Sequence, residues 1–552
     1  MNIAIYYHPE AYSTTGPRLM GRNAAGESFL RGFLLHSTAR EFWVQVEHSK
    51  HLSPFAAAVR AAERTEPVRA VDKKNLGALS HPGLVFLPGP GLGEQAWHRS
   101  GHGPGAWSLC GITHTTASAR VMDAIADLLI APVHAWDAVV CTSTAVRENV
   151  LRVLQAQADY LTTRVGARRI TLPQLPVIPL GIHTRDFAFT AEQRSAARAS
   201  IGATDHTHVV LFAGRLSFHA KAHPLAMYQA LEKSVRALPA GHTVVLVECG
   251  WHANSFIADA YAEAAKFACP SLRVVTLDGR KPEARQTAWA CADVFCSLSD
   301  NIQETFGLTP VEAMATGLPV VVADWDGYKD SIRDGVEGFR IPTLMPSAGL
   351  GRDLALRHAL EIDTYDMYCG YTSSLVAVDI EAASQAFARL FASSDLRHKM
   401  GTAGRQRARK IYDWAVIIPR YEALWAQITD LRRTHAPRLA PHRHSWPARP
   451  DPFDAFACYP TTILTPNTML RLVGDTADSA VARVAACQKL AMVRFAAPLF
   501  PSEREVRLVL EAATSAPRAA IDLLREIVPE RRAFVFRSLA WLTKLGVLAV
   551  CS

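Results

Sequence analysis

The order of apolar and polar positions divides the 552 residues into stretches of different period. Over residues 1–182, short runs rich in β-branched and aromatic residues alternate with longer runs of helical period. "NIAIYY", "GLVFLP", "LCGITHT" and "DAVVCTS" read as strands, and "AGESFLRGFLLHS", "SARVMDAIADLLIAP" and "TAVRENVLRVL" as helices. That alternation predicts a parallel sheet with helices on both faces. The proline-rich "LPQLPVIPLGIHTRDF" reads as a hinge. Over residues 183–410 the alternation resumes, with "HVVLFAGRLS", "TVVLVECG", "LRVVTLDG", "ADVFCSLS" and "LPVVVAD" as strands. Two doubly wound α/β domains facing a cleft are therefore predicted. Ligands of open parallel sheets bind beyond the carboxyl ends of the strands. The loops after "VVLFAG", "TVVLVE", "RVVTL" and "DVFCSLS" are expected to line the site.

Residues 411–433 read as one helix carrying Trp414, Tyr421 and Trp425. Residues 434–453, rich in Pro, Arg and His, read as a solvated linker, with contact to acidic surfaces as the alternative. Residues 454–552 have a helical pattern, including a capping box of Ser502 with Glu505. They read as a small all-α module suited to docking or oligomerisation.

Two stretches carry candidate chemistry. In "ETFGLTPVEAMATGLPVV", residues 304–321, Thr309 reads as an N-cap, Pro310 as the first helical residue and Glu312 as the partner in a capping box. The N–H groups of Phe306, Gly307, Leu308 and Thr309 then point out of a helix start, which favours an anion. Glu312 has a structural explanation in the box. Glu304, in the loop before the cap, has none. In "FAGRLSFHAK", Arg215 follows a strand and Gly214, with Lys221 six residues on. A planar fork of donors and a mobile point charge beside a helix N-terminus make a cradle for a diphosphate.

Charge and composition narrow the partners. The formal net charge of +8 suits anionic ligands. No basic stripe is interleaved with aromatics, so no specific nucleic-acid partner is expected. The N-terminus lacks a signal-peptide pattern, and no run of apolar residues is long enough to span a bilayer. The ten cysteines follow no metal or redox spacing. A cytoplasmic protein is expected, peripheral at a membrane where the linker meets acidic lipid.

"GRLSFHAK", then "ETFGLTPVE", then "AMATGLPVVVAD", together with "VIPLGIHTRDF", resemble the retaining GT-B glycosyltransferases of family four. The resemblance covers residues 1 to about 430, is densest in the second domain, and excludes the C-terminal extension. It implies a metal-independent hexosyltransferase with no cofactor, using a nucleoside diphosphate sugar as co-substrate. It assigns Arg215 and Lys221 to the diphosphate, Glu304 to donor-sugar hydroxyls and Glu312 to the ribose. It assigns the backbone of Phe306, Gly307 and Leu308, with Thr309, to sugar or phosphate oxygens. In the first domain "LMGRNAAGESF" resembles the loop that approaches the donor phosphate. Gly21 is the candidate for close approach, Arg22 for a phosphate contact, and Gly26 for the turn. His114, in "GITHTTAS", stands where the family places a histidine beside the reacting sugar, ahead of His102 and His134.

The chain departs from the pattern at Ala222, Leu180 and His183. Trp325, Asp326 and Tyr328 stand where small residues are usual, which bears on the sugar pocket or the interdomain contact. The acceptor, whether glycan, lipid, protein or small molecule, is not fixed by any motif. The rival reading is a non-catalytic sugar-nucleotide-binding or scaffolding protein that works through its helical tail.

Overall fold

The computed structural model describes residues 2–13, 21–440, 444–514 and 516–551. They form two compact units, Met1–Trp446 and Pro447–Ser552. The first unit is built on two six-stranded parallel sheets. β1 (Ala4–Tyr7), β2 (Phe42–Val46), β3 (Val68–Val71), β4 (Leu84–Phe86), β5 (Ser108–Ile112) and β6 (Ala138–Val140) lie in the order β3-β2-β1-β4-β5-β6. β7 (Thr207–Ala213), β8 (Thr243–Gly250), β9 (Arg273–Asp278), β10 (Val294–Ser297), β11 (Val320–Ala323) and β12 (Gly338–Ile341) lie in the order β12-β11-β10-β7-β8-β9. Both orders are the doubly wound 3-2-1-4-5-6 arrangement, the second read from its other edge. The switch points fall between β1 and β4 and between β7 and β10.

The strands that carry the site are buried on both faces. Every residue of β7 and β10 is buried. That explains why they read as unbroken apolar runs rather than alternating ones. β2, β3 and β12 carry weaker patterns. β3 is an edge strand whose Arg69 and Ala70 face solvent.

The helix Trp414–His435 returns to the first domain as expected. Trp414 donates its indole N–H to Ser28 Oγ at 2.7 Å, and its ring meets Phe29 edge-on at 5.7 Å. Tyr421 packs on Phe29 and Phe86, and Trp425 on Phe33 and Phe86. Several large rings buried together tie the two domains into one unit.

A segment without counterpart in the expectation follows β12. β13 (Thr343–Leu344) and β14 (Ala377–Val378) pair antiparallel and form the stem of an insertion carrying helices Arg352–Ala359 and Tyr365–Ser373.

About half of the second unit is helical, and its Ser502–Glu505 capping box forms as read. It is not all-α. β15 (Met469–Leu472), β16 (Arg518–Ala519) and β17 (Leu548–Val550) make an antiparallel sheet in the order β16-β15-β17. Gly546 turns, and the residues after it pair with β15. Strands this short leave no readable period. The linker residues 441–443 lie outside the described residues.

Candidate functional site

The second domain's switch point brings together the loop leaving β7 and the loop leaving β10. At the end of β7, the N–H of Gly214 donates to Cys249 O at 3.0 Å, so this glycine has no N–H to offer a ligand. Arg215 donates from Nη2 to Ala220 O at 2.8 Å and to Gln303 Oε1 at 3.3 Å. Its guanidinium is thereby held across the mouth between the two loops. Lys221 Nζ forms an ion pair with Glu304 Oε2. Buried Asn301 fixes this geometry. Its side chain donates to His219 O at 3.1 Å and accepts Gln303 N–H at 3.0 Å, while its carbonyl accepts the indole N–H of Trp325 at 3.0 Å.

Glu304 is held as a carboxylate. Burial pushes its carboxyl up, but Lys221 and the N–H groups of Thr305 and Phe306 outweigh that and leave it below the ordinary range. The Phe306 N–H is thus aimed at Glu304 rather than into the cleft. Tyr328 O–H lies 3.5 Å from Glu304 Oε2 and 2.8 Å from Ser297 Oγ, beneath the carboxylate.

The expected capping box at Thr309 does not form. The helix is Leu308–Thr316 with Gly307 as its N-cap, at φ +81°, and no side chain caps it. Pro310 is therefore the third helical residue rather than the first. A Cβ on Gly307 would come within 2.0 Å of the Tyr328 ring, so glycine is required by space as well as by φ. The start moves because Tyr328, far along the chain, sets it. The N–H groups of Gly307, Leu308 and Thr309 have no hydrogen-bond partner among the described residues. Free N–H groups at a helix start favour an anion. Glu312 loses its structural explanation. It lies half-buried in the first turn and a half, where burial pushes its carboxyl up to about 7 against the pull of Arg285.

In the first domain, the helix Gly21–His36 begins at the expected loop. Leu19 and Met20 of that loop lie outside the described residues. A Cβ on Gly21 would meet no atom of the described residues within 4 Å, and Arg22 is exposed. Gly26 does not serve a turn. It lies inside the helix, where a Cβ would come within 2.0 Å of Ala11 O. His114 follows β5, and its Nε2 lies 3.2 Å from Pro88 O. A carbonyl only accepts, so Nε2 carries the proton and Nδ1 is left as an acceptor. Burial pushes its pKa down to about 4, opposed by the Pro88 bond and aided by Arg22, so the ring is neutral near pH 7.

Among the described residues, three bonds join the two domains beside this site, and none was foreseen as a pair. Ser143 Oγ donates to Asp326 Oδ1 at 3.1 Å, and Thr144 N–H donates to Asp330 Oδ2 at 2.6 Å. Thr115, beside His114, shares a hydrogen bond of 3.0 Å with the hydroxyl of Tyr365 from the inserted hairpin. The oversized Asp326 therefore belongs to the interdomain contact. Burial first, and Glu304 second, push its carboxyl up to about 8. The hairpin also leans on the loop that leaves β7, since a Cβ on Gly370 would come within 2.9 Å of His219 Cβ.

Cations, free N–H donors and a held carboxylate at a switch point are what a phosphorylated, hydroxyl-rich ligand requires. Residues 207–350 match the model of the family described as glycosyl transferases group 1. The match opens at the first residue of β7 and stops at Leu350, inside the insertion. The chain is 32% identical over 162 residues to a D-inositol 3-phosphate glycosyltransferase of Mycolicibacterium gilvum (strain PYR-GCK), covering 29% of this chain and 34% of that one. It is 30% identical over 134 residues to a phosphatidyl-myo-inositol mannosyltransferase of Mycobacterium leprae (strain TN), covering 24% of this chain and 26% of that one. The chain thus spans about a third or less of the length of these relatives. In fold it is similar to a glycosyltransferase from Rickettsia africae ESF-5, with a TM-score of 0.50, 12% identity, and coverage of 77% of this chain and 98% of that one. The architecture of residues 1–446 is GT-B. Among the described residues, no helix is long and apolar enough to cross a membrane.

Proposed function

We propose that this chain moves a sugar from a nucleoside diphosphate sugar to an acceptor hydroxyl, with retention at the anomeric carbon. One observation carries the reading. Arg215 and Lys221 are held against the Gln303–Glu304 loop that runs directly into the free N–H groups of Gly307, Leu308 and Thr309. Those groups suit the two phosphates of the donor, and Glu312, a turn further on, suits the vicinal hydroxyls of a ribose. Glu304 has lone pairs beyond those used by Lys221 and Thr305, and these suit sugar hydroxyls. His114 Nδ1 offers an acceptor from the first domain.

In the step proposed, the bond between the anomeric carbon and the diphosphate oxygen breaks. The acceptor oxygen attacks from the same face, and its proton passes to the leaving phosphate. Arg215, Lys221 and the helix N–H groups stabilise the charge that develops there. The same groups supply the positive charge a divalent cation would otherwise bring, so turnover is expected to persist in EDTA. The two relatives are named for inositol-containing acceptors. For this chain the acceptor is proposed only as a hydroxyl compound held by the first domain.

A panel of nucleoside diphosphate sugars, read by thermal shift in EDTA, tests the reading. The right donor raises the melting temperature by mass action, and Lys221→Ala removes the shift. If every donor leaves the melting temperature unchanged, the diphosphate cradle is wrong. A donor that binds and is never turned over with any acceptor favours the binding-protein reading.

A further inference from the structure

The second unit displays an apolar segment that its own core does not use. Between the helices Ala477–Gln488 and Glu503–Ala512 the chain makes one α-helical turn, Ala491–Arg494, and one 3-10 turn, Ala497–Leu499. Met492 is 80% exposed and Phe495 81%, with Leu490 and Leu499 more than half exposed. The core of this unit is filled by others, including Val484, Val509, Leu539 and Leu548.

The display is fixed rather than loose. Arg494 N–H donates to Leu490 O at 2.9 Å and Phe495 N–H to Ala491 O at 3.3 Å, which holds the turn. At the far end Phe500 stacks on Trp541 at 4.0 Å, and Ser538 Oγ donates to Leu499 O at 3.3 Å. Met492 and Phe495, three residues apart on that turn, share one side. The charge around them has one sign. Between Asp478 and Glu503 the charged residues are Arg483, Lys489 and Arg494, all basic, and Lys489 and Arg494 are exposed.

We propose that the segment Lys489–Leu499 is a peripheral membrane anchor, inserting Met492 and Phe495 into the interface of an anionic lipid surface while Lys489 and Arg494 meet its headgroups. Two separate turns of three and four residues are too short for the repeated anchors that a helix-binding protein groove reads. A lipid interface asks only for a few apolar side chains beside cations. The proposal concerns the second unit and stands apart from the transferase reading.

Cosedimentation of the full chain with phosphatidylcholine vesicles, with and without about a third phosphatidylglycerol, tests it. Binding is expected to the anionic vesicles and to be at least about tenfold weaker for Met492→Ser with Phe495→Ser, and for Lys489→Glu with Arg494→Glu. Equal binding to neutral vesicles, no binding, or unchanged binding by either variant overturns it. A wild-type dimer that the serine variant dissolves, without vesicle binding, overturns it in favour of a second copy. Both variants change exposed side chains, and an unaltered melting curve verifies their fold.

Discussion

Ser143 and Asp326 are hydrogen-bonded across the cleft, from Oγ to Oδ1 at 3.1 Å. Ser143 is also the N-cap of the first-domain helix Thr144–Val165, accepting Val146 N–H at 3.2 Å. Asp330 accepts the Thr144 N–H of the same turn. The positive end of a first-domain helix is thus met by two carboxyl groups of the second domain, an arrangement the helix dipole favours. A Cβ on the neighbouring Gly327 would come within 2.5 Å of Phe306 Cα, so this segment lies flush against the loop that carries Phe306. The interdomain contact and residues 304–308 therefore adjoin each other.

Ser143→Ala removes both bonds. The lost cap costs about 1 kcal/mol. The variant is expected to melt lower, to scatter X-rays with a larger radius in the presence of donor, and to bind donor several-fold more weakly. An unchanged radius together with unchanged donor affinity contradicts the latch.

Stability is expected to fall as pH rises above neutrality. Asp326 is pushed up to about 8, and Glu312, Glu248 and Asp300 each to about 7, all by burial first. Between the ordinary carboxylate range and these values the native state holds protons the unfolded chain has released, so stability declines with rising pH. His114 and His183, pushed down to about 4, act in the opposite sense, but only below their ordinary 6.5. From about pH 6.5 to 8.5 the carboxyl groups therefore dominate, and stability should drop by about 1 kcal/mol or more. Thermal melts across that window check this, and Asp326→Asn should flatten the upper part of the fall.

Two glycines separate a fold requirement from a ligand requirement. Gly307→Ala puts a methyl group into the Tyr328 ring at a positive φ and should lower both stability and donor binding. Gly21→Ala meets no atom of the described residues. It should leave the melting temperature within about a degree of wild type and still weaken donor binding, because the space there is for the ligand. Equal donor affinity in Gly21→Ala removes this loop from the site.

Tyr365→Phe breaks the bond between the inserted hairpin and Thr115. Loss of one such bond costs about 1 kcal/mol. Donor affinity should hold, while slow hydrolysis of the donor rises as water gains entry beside His114. A hydrolysis rate at or below that of wild type argues against the hairpin as a cover.

The parts of the site legible in the sequence are those that follow directly from a strand end. "GRLSFHAK" and "ETFGLTP" are local strings, and the topology alone brings Arg215 and Lys221 to Gln303 and Glu304. The helix start was misread because Tyr328, not a nearby cap, decides where it begins. Ser143 with Asp326 and Thr115 with Tyr365 join residues far apart in the chain, and no local pattern encodes such pairs. Asp326 and Tyr328 did stand out as too large for their positions, which was the one available signal. The three strands of the second unit span two to four residues each, too few for alternation to show.

The most direct measurement follows the anomeric proton of the sugar released from the stabilising donor by NMR, in EDTA, for wild type and Lys221→Ala. Wild type should release nucleoside diphosphate and a sugar that first appears with the donor's own anomeric configuration. Lys221→Ala should be slower by about a hundredfold, since it removes one of the charges that stabilise the leaving group. A first product of inverted configuration, or a variant as fast as wild type, contradicts the account.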